Sequence, residues 1–120
     1  MTEIAITGAC GRMGRVIAGL VKDRADCEII AGVDVAGEQY SDFPIVKKVF
    51  DLPKKPDVII DFSHPSALPD LLSYGKMNNV PLVLATTGYT DEERAQITAA
   101  SAQIPVFFTF NMSLGINLLV

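Results

Sequence analysis

Apolar residues fall into two kinds of run along this chain. Ile4-Ala5-Ile6, Ile29-Ile30-Ala31-Gly32-Val33, Val58-Ile59-Ile60, Leu82-Val83-Leu84-Ala85 and Ile104-Pro105-Val106-Phe107-Phe108 are short and almost unbroken. A strand with one wet face alternates apolar and polar residues, so unbroken runs predict strands covered on both faces. Between these runs the spacing changes. From Arg12 to Lys22, Met13, Val16, Ile17, Leu20 and Val21 recur three and four residues apart, which predicts a helix burying one stripe. A second helix is expected from Ser66 to Asn78, with Leu68, Leu71, Leu72 and Tyr74 to bury and Pro69 in its first turn, where a missing N–H is harmless. A third runs from Asp91 to about Gln103. Thr90 and Glu93 have capping-box spacing there, and Asp91, Glu92 and Glu93 complement the helix dipole. The stretch 35–56 is weakly patterned and predicts loop with one short strand or turn near 45–50. Ser113 opens an apolar segment, Leu114 to Val120, that reads as the first turns of a helix cut mid-run.

Strands alternating with helices predict an α/β fold, a Rossmann-type doubly wound parallel sheet in a single domain. Right-handed crossovers place the C-terminal end of every strand on one edge. The loops expected there contain Gly8–Gly14, Asp34, Phe62-Ser63, Thr86-Thr87-Gly88 and Asn111-Met112.

Gly8-x-x-Gly11-x-x-Gly14 follows a strand and opens a helix, the context of a dinucleotide fingerprint, with one extra residue in its first interval. Its glycines allow a tight turn, close backbone approach to a pyrophosphate, and close helix–strand packing. The helix start adds unpaired N–H groups and a positive dipole end. Such a loop alone is ordinary, but Asp34 ends the second strand 20 residues beyond Gly14. An acid there accepts hydrogen bonds from the adenosine ribose hydroxyls. The alternative for Asp34 is a solvated strand-end acid. A carboxylate at that place repels a 2′-phosphate, and Val35 offers no cation, so NADH is the expected cofactor. NADPH is the second candidate if Arg12 or a distant Lys compensates. Arg12 opposes the dipole where it stands, which points to a phosphate partner.

Charge and composition narrow the classes. Hydrophobic residues make up 49% and charged residues 20%, a folded profile. The net charge is −4, and no basic run exceeds the pairs Lys47-Lys48 and Lys54-Lys55, so no nucleic-acid partner is expected. No apolar run reaches the roughly 18 residues of a membrane span. The start has no signal-peptide pattern, so a cytoplasmic setting is expected. Cys10 and Cys27 offer neither a disulfide scaffold nor metal-ligand spacing, and no metal site is expected. Cys10 reads as a small loop residue, and His64 before Pro65 as a loop or capping residue. No catalytic Ser/His/Asp or Cys/His set can be assembled from the sequence.

Four segments in order carry a family resemblance: Gly11-Arg12-Met13-Gly14, Asp61-Phe62-Ser63, Thr86-Thr87-Gly88 and Asn111-Met112-Ser113-Leu114-Gly115-Ile116-Asn117. Over its full length the chain resembles the N-terminal domain of the 4-hydroxy-tetrahydrodipicolinate reductases (dihydrodipicolinate reductases) of lysine and diaminopimelate biosynthesis. The resemblance implies cofactor contacts at Gly8, Ala9, Cys10, Gly11, Arg12 and Met13, at Asp34, at Ala85, Thr86 and Thr87, and at Thr109, Phe110, Asn111 and Met112. Gly14, Phe62, Ser63 and Gly88 complete the expected cofactor site. Ala85 stands where the family often has Gly, Met112 where many members have Phe, and Val35 where some carry Arg. The family's His-rich substrate motif belongs to a C-terminal domain, and a chain with one histidine does not contain it. The resemblance therefore implies a cofactor-binding half with no catalytic residue of its own, taking small-molecule substrate only with the other domain, within homotetramers. A different class, a non-catalytic nucleotide module such as a redox sensor or coenzyme A-binding domain, shares the glycine loop. Asp34 speaks against a 3′-phosphorylated ribose, and no DNA-binding segment accompanies the loop.

Overall fold

The computed structural model describes residues 2–86 and 88–108. Its elements are β1 (Thr2–Thr7), α1 (Arg12–Lys22), β2 (Cys27–Val33), β3 (Ile45–Val46), β4 (Val58–Asp61), α2 (Leu68–Asn78), β5 (Leu82–Leu84), α3 (Asp91–Ala100) and β6 (Val106–Phe108), with 3-10 turns at Val49–Asp51 and Pro65–Ala67. All six strands are parallel in the order β3-β2-β1-β4-β5-β6. The direction of winding reverses between β1 and β4, so loops leaving these neighbours diverge and leave a crevice at the strand ends. The expected doubly wound parallel sheet is what the chain forms.

Alternate residues of each strand supply two cores. Ile4, Ile6, Ile60 and Val83 meet Ile17, Ala18 and Val21 of α1 on one face. Ala5, Ile59, Leu82 and Leu84 meet Leu68, Leu71, Leu72, Ile97 and Ala100 of α2 and α3 on the other. Two covered faces are the reason the strands read as unbroken apolar runs.

The buried stripe of α1 differs from the expected one. Gly14, Ile17, Ala18 and Val21 face the sheet, whereas Val16 and Leu20 are 47% and 44% exposed. The small residues decide this. A Cβ on Gly14 would stand 2.6 Å from the Gly8 carbonyl oxygen and 2.8 Å from Ala9, so the helix sits too close for a larger side chain. Three ends also shift. α2 is entered through the 3-10 turn, α3 stops at Ala100 with residues 101–103 wound in tighter turns, and β6 begins only after Pro105, which has no N–H to pair. Asn79 ends α2 in the left-handed conformation, φ 55°. The Ser113–Val120 segment lies outside the described residues.

Candidate functional site

The glycine loop is clamped from both sides. Gly8 has φ +69°, and a Cβ on it would lie 2.6 Å from the carbonyl carbon and oxygen of Phe62. Only glycine lets the loop after β1 cross the loop after β4 at this distance. Gly8 N–H donates to the Val33 carbonyl at 2.8 Å, and Gly11 N–H to the Gly8 carbonyl at 3.1 Å. Gly11 caps α1 without a side chain, and the first turn holds no acid, so the positive end of the helix is left open to an anion.

Asp34 is a hinge between loops. Its Oδ2 accepts the Cys10 N–H at 2.9 Å, and its Oδ1 accepts the Ala36 N–H at 2.9 Å. Both oxygens keep lone pairs for a further donor. The strap after Asp34 then folds back on the glycine loop. The Tyr40 hydroxyl donates to the Ala9 carbonyl at 2.7 Å, and the Arg15 guanidinium lies 4.2 Å over the Tyr40 ring while its Nε donates to the Cys10 carbonyl at 3.0 Å. Burial raises the Tyr40 phenol pKa above its ordinary value, so it stays a donor at neutral pH. Sequence reading missed Tyr40, whose partner lies 31 residues away.

Asp61, named in the sequence only as part of a motif, is the centre of a buried polar knot. It is 2% exposed. Oδ1 accepts the Thr7 hydroxyl from β1, the Ser63 N–H at 3.0 Å and the Ser63 hydroxyl at 2.5 Å. Oδ2 faces the Thr86 hydroxyl at 3.1 Å and the Tyr89 hydroxyl at 3.3 Å. Thr86 Oγ1 is also 2.7 Å from the Ser63 carbonyl and 3.5 Å from the Asp61 carbonyl, so its one proton has three acceptors within reach. Burial, then the charge of Asp61, pushes the Tyr89 phenol well above its ordinary range. This knot ties β1, β4 and the loop after β5 together at the sheet edge. With its proton engaged by Asp61, the Ser63 hydroxyl is left to accept hydrogen bonds.

Two cavities meet over the glycine loop. The larger, about 630 Å³, contains Asp34, Val35, Lys47, Lys48, Val49, Ala67, Asp70 and Leu71 in its walls. The second, about 540 Å³, is walled by Arg12, Met13, Gly14, Pro65, Ala85 and Thr86. Gly8, Gly11, Phe62, Ser63 and His64 border both. The structure thus gathers Gly8, Gly11, Arg12, Met13, Gly14, Asp34, Phe62, Ser63, Ala85 and Thr86 around two adjoining cavities. Ala9 is fully buried behind the loop, and Cys10 turns its Sγ to the Glu38 carbonyl at 3.2 Å. Neither residue borders either cavity. Gly88, at φ +87°, borders neither cavity. Thr87, Thr109, Phe110, Asn111 and Met112 lie outside the described residues. His64 accepts the Ser66 N–H at Nδ1, 3.1 Å, and caps the turn after β4. Among the described residues no cluster of His, Cys, Asp and Glu could hold a metal, and no helix is long and apolar enough to cross a membrane.

The geometry is matched by similarity to known proteins. The chain is 44% identical over 119 residues to a 4-hydroxy-tetrahydrodipicolinate reductase from Clostridium tetani, covering 99% of this chain and 47% of that protein. A reductase of the same name from Clostridium novyi is 41% identical over 119 residues, with the same coverage of each chain. The dipicolinate-bound dihydrodipicolinate reductase from Paenisporosarcina sp. TG-14 superposes with a TM-score of 0.81 at 25% identity, over 99% of this chain and 51% of that one. The chain therefore spans about half the length of the curated relatives it matches. Residues 2–112 match the family model described as dihydrodipicolinate reductase, N-terminus, and the chain belongs to that family.

Proposed function

We propose that this chain is the cofactor-holding half of an NAD(P)H-dependent dihydrodipicolinate reductase. The observation that carries this reading is the pair of adjoining cavities that share Gly8 and Gly11, with Asp34 in the wall of one and the open helix start in the wall of the other. A dinucleotide has two nucleosides joined by a pyrophosphate, and each part finds a matching surface. The apolar walls Val35, Val49, Ala67 and Leu71 suit an adenine ring, and Asp34 suits the ribose hydroxyls beside it. Gly11, where a Cβ would meet only the Gly8 carbonyl oxygen at 3.3 Å, leaves room for the pyrophosphate over the helix start. Arg12 is exposed at that start and adds a cation. Met13, Ala85, Thr86 and Ser63 bound the end where the nicotinamide belongs.

A bound reduced nicotinamide supplies a hydride to the substrate, a dehydrated cyclic form of 4-hydroxy-tetrahydrodipicolinate. The residues of this chain orient the ring and shield it from water; Ser63 and Thr86, locked by Asp61, fix the polar contacts at its edge. Substrate binding and proton donation belong to a second domain outside these 120 residues, through which full-length members assemble as tetramers. The Asp34 carboxylate favours NADH over NADPH. The free thiols Cys10 and Cys27 suit a reducing cytoplasm.

Calorimetry with NADH, NADPH and coenzyme A tests the reading. Binding of NADH but not coenzyme A is expected, with no reduction of substrate by the 120-residue protein alone. Failure to bind either nicotinamide dinucleotide would overturn the assignment, and turnover by the isolated chain would overturn the division of labour.

A further inference from the structure

Every backbone carbonyl of the glycine loop from Gly8 to Gly11 has a donor inside the protein. The Gly8 carbonyl accepts the Gly11 N–H, and the Gly11 carbonyl accepts the Arg15 N–H, each at 3.1 Å. The two between them are held by side chains instead: Ala9 by the Tyr40 hydroxyl at 2.7 Å, and Cys10 by Arg15 Nε at 3.0 Å. The N–H groups divide in the same way. Those of Gly8 and Ala9 donate to the Val33 carbonyl, that of Cys10 to Asp34, and that of Gly11 to Gly8. Among the described residues the N–H groups of Arg12, Met13 and Gly14, in the first turn of α1, have no acceptor. Tyr40 and Arg15 are themselves well supported. The Arg15 guanidinium lies 4.2 Å from the centre of the Tyr40 ring, a cation–π contact. That ring meets Phe43 edge to face, with centroids 5.6 Å apart and planes at 83°, and Phe43 is buried in the core under α1. The Cys10 Sγ contact with the Glu38 carbonyl, 3.2 Å, is a further tie between strap and loop.

We propose that Tyr40 and Arg15 are positioning residues for pyrophosphate binding, a latch that holds the Ala9 and Cys10 carbonyl oxygens on the strap side of the loop. The proposal rests on the dinucleotide reading above. Neither residue borders the two cavities over the loop, so both act through the backbone they hold. A carbonyl without a donor seeks one, and the peptide unit that carries it rotates to find it. Rotation of the peptide after Ala9 or Cys10 brings a partial negative charge toward the phosphates and disturbs the N–H groups of the turn that follows. With both oxygens pinned, the loop offers the anion free donors and the positive end of α1. The competence of the glycine loop therefore depends on a strap residue that the glycine spacing does not contain.

Calorimetry with NADH, and NMR titration with ADP and with adenosine, on the wild-type chain, Tyr40→Phe, Arg15→Gln and the double variant are the test. Tyr40→Phe keeps the ring beside Arg15 and removes only the hydroxyl. It is expected to weaken NADH and ADP about fivefold and to leave adenosine, which has no pyrophosphate, within about twofold. Arg15→Gln should act in the same sense. The double variant should lose less than the product of the two single losses, since either change opens the same latch. In the free protein, the amide NMR signals of Arg12, Met13 and Gly14 should shift in Tyr40→Phe while those of α3 stay in place, which a general loss of stability would not produce. Equal weakening of ADP and adenosine, an unchanged ADP affinity, fully multiplicative losses, or unmoved loop amides in Tyr40→Phe would each overturn the proposal. If the wild type binds neither NADH nor ADP, the dinucleotide reading itself fails.

Discussion

The Cys10 backbone N–H donates to Oδ2 of Asp34 at 2.9 Å, across 24 residues of chain. The acid expected to read the ribose therefore also sets the shape of the loop expected to hold the pyrophosphate. Asp34→Ala should lower NADH affinity by roughly tenfold or more, since hydrogen bonds to a charged group are worth about 1.5–3 kcal/mol each. Part of the loss should persist with a pyrophosphate-containing fragment that has no adenosine ribose, because the loop loses its anchor. An affinity for NADH unchanged by Asp34→Ala would remove the ribose assignment.

The glycines of the loop have different duties, and two substitutions separate them. Gly8→Ala forces a side chain into a left-handed backbone with Phe62 at 2.6 Å. A loss of more than about 2 kcal/mol in urea unfolding is expected from the strain and overlap together. Gly11 has extended backbone, φ −75° and ψ 172°, and its added methyl would meet only one atom, at 3.3 Å. Gly11→Ala should keep its stability within about 1 kcal/mol of the wild type and still lose most cofactor affinity, because the methyl enters the cleft. Equal destabilisation by both changes would count against this division.

Asp61 holds five donor contacts from Thr7, Ser63, Thr86 and Tyr89. Asp61→Asn keeps the shape but replaces one acceptor oxygen with a donor NH2 group facing other donors. The expected cost is about 2–4 kcal/mol, measured by chemical denaturation at neutral pH. Cofactor affinity should fall as well, since Ser63 and Thr86 lose their fixed positions. A stability close to wild type would show that the knot is not needed for the fold.

Tyr89, Tyr40 and Tyr74 all have phenol pKa values raised chiefly by burial, with Asp61 adding to the shift at Tyr89. The Cys27 thiol is raised by burial too. Above the unfolded values, 9.0 for the thiol and 10.0 for the phenols, the unfolded chain releases protons that the folded chain keeps. Stability should therefore be level at neutral pH and fall as pH rises through this alkaline window. Urea midpoints across that range should show a shallower fall for Tyr89→Phe than for the wild type. An identical slope would remove Tyr89 from the account.

Short-range features were legible from neighbouring residues. Thr90 accepts the Glu93 N–H at 3.1 Å and the Glu93 carboxylate accepts the Thr90 N–H at 2.8 Å, the capping box that the spacing predicts. His64 caps a turn, Leu68, Leu71, Leu72 and Tyr74 are buried, and the expected strands form. The α1 stripe was not legible, because two sets of residues on that helix share helical spacing. Gly14 and Ala18 won over Val16 and Leu20 through closeness to the sheet, which no single-helix pattern contains.

By itself, then, the sequence determined the order of strands and helices along the chain, the capping box of α3, the glycine loop and the acid after β2. Each is encoded by residues within a few positions of one another or by a spacing the backbone imposes. Tertiary structure alone decided that Tyr40 latches Ala9, that Asp61 gathers hydroxyls from three segments, and that Lys47 stands beside Asp34. These pairings arise from which strands become neighbours and how closely loops cross. A hydroxyl meets a carbonyl 31 residues away, or a carboxylate 54 residues away, with no periodic trace of it in the chain.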